Sequence, residues 1–200
     1  MRGLTLYLRS RRVPMALAAA GGSLSVSWSL WTAFSTSHDV APRIAVLTIL
    51  LLVAAVTVTL GGPDDDLDRT GALPWPPRRA AHLLAALIIM VLPLLATLLT
   101  GARFGPVGLV VRDAAGLLGL AALSAATIGP ARSWFLPLGW TLAAIVFPLS
   151  GQAWQEALTW QSQPPGSAAA TATASLLAVG GLVGYVVAGP PRCSPAEAAL

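Results

Sequence analysis

Six apolar stretches succeed one another along the chain, at about 13–34, 43–61, 80–100, 108–128, 133–150 and 170–188, divided by short runs rich in Pro, Gly and charge. Several continue for about 18 residues or more, enough for a helix to cross the roughly 30 Å hydrocarbon core of a bilayer. The pattern predicts an all-α polytopic membrane protein, with six transmembrane helices in one transmembrane domain spanning residues 1–200. Only "GPAR" separates the fourth and fifth stretches, which reads as a tight hairpin turn at Pro130. An even number of spans puts both termini on the same side. No internal repeat is visible.

Two segments outside the spans carry helical periodicity. In residues 2–12, "RGLTLYLRSRR", Leu4, Tyr7 and Leu8 share one face, with Arg2 and Arg9 opposite. An amphipathic helix lying along the membrane surface is expected there, with an unstructured group of arginines as the alternative because Arg11 breaks the pattern. In residues 151–169, the longest loop, Trp154, Ala157, Leu158 and Gln161 follow helical spacing until Pro164 and Pro165 stop it. A short helix resting on or dipping into the outer leaflet is expected. The stretch "RSRRVPMALAAAGG" has the charged start and apolar run of a signal peptide. Because further spans follow it, the first span is expected to be retained.

Composition agrees with the pattern: 56% of residues are hydrophobic and 10% charged, against about 25% charged in a soluble domain. The basic residues are twelve arginines with no lysine, and the net charge is +4. No basic patch interleaved with aromatics points to nucleic acid. The arginines instead report topology. Arg2, Arg9, Arg11, Arg12, Arg69, Arg78, Arg79, Arg132 and Arg192 fall on the side of the termini, and Arg43, Arg103 and Arg112 on the other. That bias places both termini in the cytoplasm. Trp28, Trp31, Trp134, Trp154 and Trp160 fall near span ends or in the outer loop, where indoles anchor at the bilayer interface. Substrate stacking is the second reading for them. Cys193 is the sole cysteine, which excludes an intramolecular disulfide and any multi-cysteine metal site. His38 and His82 fall on opposite faces and share no site.

Four of the eight carboxylates are packed into "PDDDLDRT", residues 63–70. Aspartate clusters hold Mg²⁺ against diphosphates in some membrane enzymes, because hard cations take oxygen ligands. Such sites need a facing acidic cluster, and the remaining acids, Asp39, Asp113, Glu156 and Glu197, do not form one. Capping fits better. Asp64, Asp65, Asp66 and Asp68 suit the start of a helix, Arg69 suits its last turn, and Gly71 the left-handed position that ends it. A two-turn cytoplasmic helix over residues 64–70 is expected, followed by "LPWPP" as an extended link to the third span. Arg112 and Asp113 form the one charged pair near a span interior. Intramembrane charge is expensive, so the pair is either a structural anchor or a gate contact. From the outer interface Arg112 can snorkel. No Ser/His/Asp set or nucleophile elbow is present, nor a phosphate-binding loop with its lysine. No catalytic or metal residue is assigned.

Taken in order, these features resemble the permease subunits of bacterial ATP-binding-cassette exporters of the type-2 class, over nearly the whole chain. Leu67, Arg69 and Thr70 resemble the Leu-x-Arg-Thr core of the family's coupling segment. "VVRDAAGLLGLAAL" resembles the start of its fourth span, with Asp113 where asparagine is common, and "GLVGYVVAGPPR" resembles its last span. The resemblance implies that Asp64, Asp65, Asp66, Leu67, Asp68, Arg69 and Thr70 form an ATPase-coupling helix, that Leu4, Tyr7, Leu8 and Arg9 belong to a surface helix, and that the outer loop before the last span is partly re-entrant. Arg112, Asp113, Trp154 and Trp160 are then gate or anchor residues. It further implies residence in the bacterial inner membrane, a second permease subunit, the same or different, and separate cytoplasmic ATPases. ATP and Mg²⁺ would bind those partners, and this chain would bind no cofactor. An apolar, Gly-rich lining implies a hydrophobic or amphipathic cargo. The rival expectations are a Mg²⁺-dependent membrane enzyme acting on lipid diphosphates and a non-catalytic membrane assembly protein.

Overall fold

The computed structural model of the protein describes residues 12–61, 75–147 and 152–191. The expected surface helix, with Leu4, Tyr7, Leu8 and Arg9, and the expected coupling helix, Asp64, Asp65, Asp66, Leu67, Asp68, Arg69 and Thr70, lie outside the described residues. All regular structure within them is helical: α1 (Val13–Phe34), α2 (Pro42–Thr57), α3 (Trp75–Ala96), α4 (Val107–Thr127), α5 (Phe135–Val146), α6 (Ala153–Leu158) and α7 (Ala168–Ala188). Helices α1, α4 and α7, and α3 with the 3₁₀ turn that extends it to Leu99, are long and apolar enough to cross a membrane. The chain is therefore built as a helical membrane protein. Helix α2 has 16 residues and α5 has 12, fewer than the roughly 20 of a usual span.

The helix limits depart from the apolar stretches for local reasons. Helix α3 starts at Trp75, five residues early, where an extended link was expected. Pro76 and Pro77 fill its first turn, where a missing N–H is harmless and a fixed φ is already helical. Helix α5 stops at Val146 although the apolar run continues to 150. Phe147 is extended, with φ −82° and ψ 135°, because Pro148 follows it and the residue before a proline is driven out of the helical region. The turn expected at Pro130 is present: Gly129 takes a φ of +97° and a 3₁₀ turn covers Pro130–Arg132.

Hydrogen bonds sort the helix ends into two groups. At one end Val40 N–H donates to the Arg103 carbonyl (2.9 Å) and Arg103 N–H to the His38 carbonyl (2.7 Å). Trp28 Nε1 donates to Thr100 Oγ1 there (3.0 Å). At the other end the Tyr185 hydroxyl donates to the Leu60 carbonyl (2.6 Å), His82 Nε2 lies 2.9 Å from Thr59 Oγ1, and Arg79 Nη1 reaches the Val186 carbonyl (3.4 Å). Helices α1, α2, α3 and α4 thus run between the same two levels, each reversing the one before it, and α7 runs parallel to α4. Helix α5 runs from the turn at Pro130, beside Gly61, back toward Arg43.

Helix α4 is the centre of the bundle: 67% of its span is buried, against 11% for α1. It packs on α2, α3, α5 and α7, while α1 leans on α2. The closest approach is between α4 and α7. A Cβ on Gly119 would sit 2.6 Å from the Ala178 Cα, and one on Gly181 would sit 2.6 Å from the carbonyl carbon of Gly119. In lipid, where apolar surface gains nothing by leaving solvent, small residues that let backbones touch supply the packing.

This crossing gives a paired test. Gly181→Ala is expected to lower thermal stability in detergent by about 1–3 kcal/mol through overpacking. Gly180→Ala, whose added Cβ meets nothing within 4 Å, is expected to leave it unchanged or raise it by up to about 1 kcal/mol. Equal effects would remove the close crossing.

Candidate functional site

The chain between α5 and α7 folds back into the bundle. It enters at Gln152, forms α6, continues as a 3₁₀ turn over Trp160–Ser162 and becomes extended at Gln163, with φ −81° and ψ 149°. Its own side chains brace it. Thr159 Oγ1 donates to the Gln155 carbonyl (2.7 Å) and accepts from Gln163 Nε2 (2.8 Å). Ser167 Oγ donates to Glu156 Oε2 (2.8 Å) and accepts the Ala170 N–H (3.2 Å), capping α7. From α5, Trp140 Nε1 donates to the Leu158 carbonyl (2.9 Å).

Trp160 sets the depth of the fold-back. Its ring is fully buried and lies on Gly116, where any Cβ would come within 2.9 Å of Cζ3. Gly116 is nine residues after Val107, the first residue of α4, or about 14 Å along the helix at 1.5 Å per residue. The indole therefore reaches close to the middle of the central helix.

One turn nearer the entrance, Arg112 holds the same segment by its backbone. Nη2 donates to the Gln163 carbonyl (2.9 Å), Nη1 to the Pro164 carbonyl (3.1 Å), and Nε to Asp113 Oδ1 (2.9 Å). Arg112 is 8% exposed and Asp113 is fully buried. Neighbouring residues on a helix point in different directions, so this pair forms because the long arginine doubles back. The planar fork serves two carbonyls at once, and the one acid beside it offsets its charge. Non-helical backbone inside an apolar bundle needs such donors, since lipid offers none.

Several polar atoms in this region remain unused among the described residues. Asp113 Oδ2, Trp160 Nε1, both polar atoms of Gln161, and Gln155 Oε1 are buried without a hydrogen-bond partner. An unmade buried hydrogen bond costs about 1–3 kcal/mol, so the segment carries hydrogen-bonding capacity into the apolar interior at a measurable cost. Among the described residues, no three His, Cys, Asp or Glu side chains lie together to hold a metal ion. What the arrangement does is hold an irregular segment in place by charge and shape.

Three of the four candidate gate or anchor residues meet around one face of α4: Arg112, Asp113 and Trp160. Trp154 does not join them. It is 57% exposed, and its Nε1 donates to Gln152 Oε1 (2.7 Å), as an interface indole does. Trp160 differs from the expectation of an interface anchor, because the glycine at 116 leaves a slot its ring fills. Arg112 does not snorkel into solvent: it is buried, and the Gln163 and Pro164 carbonyls take up its guanidinium. Gly116, Gln163 and Trp140 were not anticipated, and Gln161 was named only as part of the loop's helical spacing. Gly116 lies four residues after Arg112, on the same helical face, and that spacing was the available signal. Comparison of the chain with protein-family models, curated proteins and solved structures gives no match.

Arg112→Ala leaves Asp113 and two carbonyls without their donor, and is expected to cost about 3–5 kcal/mol. Amide hydrogen exchange should rise first in residues 159–164, ahead of the rest of the bundle. Protection of that segment unchanged in the variant would show that the guanidinium does not hold it.

Proposed function

We propose that the chain is a membrane-spanning permease subunit of an ATP-driven exporter in the bacterial inner membrane. One observation carries this reading: the segment before the last helix folds from one end into the middle of the bundle and is clamped there by Arg112. An irregular segment at that depth, with unused polar atoms, belongs where a path through the bilayer is opened and closed, since non-helical backbone in a membrane is tolerated where it lines a cavity or is buried in protein. In this reading α2 and α5 also cross, because their ends lie at the same two levels as those of the longer helices. Arg112 is engaged inside the bundle and leaves the count of loop arginines, so nine stand against two for the end that faces the cytoplasm.

A second permease, identical or different, completes the path in this proposal. Separate cytoplasmic ATPases bind ATP and Mg²⁺. Residues 64–70 are the contact through which closure of those ATPases moves the spans, and the acids Asp64, Asp65, Asp66 and Asp68 cap the short helix that makes it. The cargo is hydrophobic or amphipathic.

Purification from native membranes tests the proposal. A Walker-motif ATPase is expected to co-purify, and replacing residues 64–70 with a Gly/Ser linker is expected to abolish that association while the chain stays folded. An association that survives the replacement, or the absence of any ATPase, would sink the proposal.

A further inference from the structure

On the flank of the bundle, α3 and α7 stand apart over α4 and leave a groove of about 370 Å³. Its walls include Ala81, Leu84 and Leu87 of α3 and Val179 of α7, and its floor includes Ala115 and Gly119 of α4. The small floor residues give the groove its depth. Leu84 and Val179 are 59% and 60% exposed at its rim. The groove begins beside the first turn of α3, at the end of the bundle shared with Tyr185 and Leu60, and runs toward mid-bilayer. A slot of this lining suits an alkyl chain.

The mouth of the groove is basic. Arg79 bridges its two walls there, with Nη1 on the Val186 carbonyl and its guanidinium against Gly189. Arg78, the preceding residue, is exposed, and its guanidinium carbon lies 5.5 Å from the centre of the Trp75 ring. Among the described residues the carboxylates, Asp39, Asp113 and Glu156, belong to the opposite end; Asp64, Asp65, Asp66 and Asp68, which precede α3 in sequence, lie outside the described residues. An apolar slot that opens under paired arginines and an interfacial indole matches a ligand with an alkyl tail and an anionic head, and basic pockets between transmembrane helices recognise anionic lipid headgroups.

We propose that this groove is a binding site for one anionic phospholipid, with an acyl chain between α3 and α7 and the phosphate at Arg78 and Arg79. The assignment depends on the membrane-embedded bundle and not on the exporter reading.

The test is native mass spectrometry of the full chain in mild detergent. The chain is offered phosphatidylglycerol and phosphatidylcholine with the same acyl chains in equal amounts. The wild type is expected to retain phosphatidylglycerol preferentially. Arg78→Gln should reduce that preference about fivefold, the factor corresponding to about 1 kcal/mol per basic residue near a headgroup. Ala115→Phe should reduce retention of both lipids by filling the floor, and Arg43→Gln, at the opposite end, should change nothing. Excess inorganic phosphate should not displace the lipid. Equal retention of the two lipids by the wild type, or an undiminished preference in Arg78→Gln, overturns the proposal. So does displacement by phosphate, or a finding that Ala115→Phe splits a dimer while lipid retention holds, which would give the groove to a second copy. Arg78 is exposed, so its variant decides the matter even if Ala115→Phe fails to fold.

Discussion

Backbone that leaves helical geometry inside an apolar medium must find its hydrogen-bond partners within the protein, since the surroundings supply none. Most of this chain meets that requirement by being helical. The stretch from Gln163 to Ser167 does not, and it depends on Arg112. One guanidinium serves the carbonyls of Gln163 and Pro164 while Asp113 offsets its charge. A charged pair so deep in the bundle would be hard to justify by its own attraction, since desolvation offsets much of what two buried charges gain. It is justified by the backbone it satisfies. Thr159, Gln163 and Ser167 complete the bracing with side chains of the segment itself.

The central position of α4 follows from the same need for close contact without a hydrophobic drive. Gly119 lets α7 lie directly on α4, and Gly116 opens the slot that takes the Trp160 ring. Two glycines three residues apart thus do two jobs on adjoining faces. A side chain at either would push away a partner that has no other place to pack. The contrast with α1, which is mostly exposed apolar surface, marks α1 as the helix that faces lipid or another protein.

Much of the fold could be read from the chain. The length and apolarity of the stretches located α1, α3, α4 and α7, because an uninterrupted run of apolar residues has few alternatives to a membrane helix. Pro130 and its preceding glycine marked the turn before α5. Helix ends were less legible where prolines acted in ways that depend on position: Pro76 and Pro77 extended α3, whereas Pro148 shortened α5. The site was legible only in pieces. Arg112 and Asp113 were conspicuous as charge in an apolar helix, yet their partners are carbonyls, which no residue type announces. Trp154 and Trp160 are alike in sequence, six residues apart in one polar loop. One is exposed and the other is in the core, because that difference depends on a glycine more than forty residues away.

The clamped segment depends on the seating of Trp160 against Gly116, and fluorescence reads that directly. The emission lost in Trp160→Phe is the contribution of this one indole, and its quenching by aqueous iodide can be set beside the corresponding difference for Trp154→Phe. The fold-back predicts a blue-shifted Trp160 component that iodide does not reach, beside a Trp154 component that iodide quenches readily. Equal quenching of the two would place residues 152–167 at the membrane surface and contradict the clamped segment.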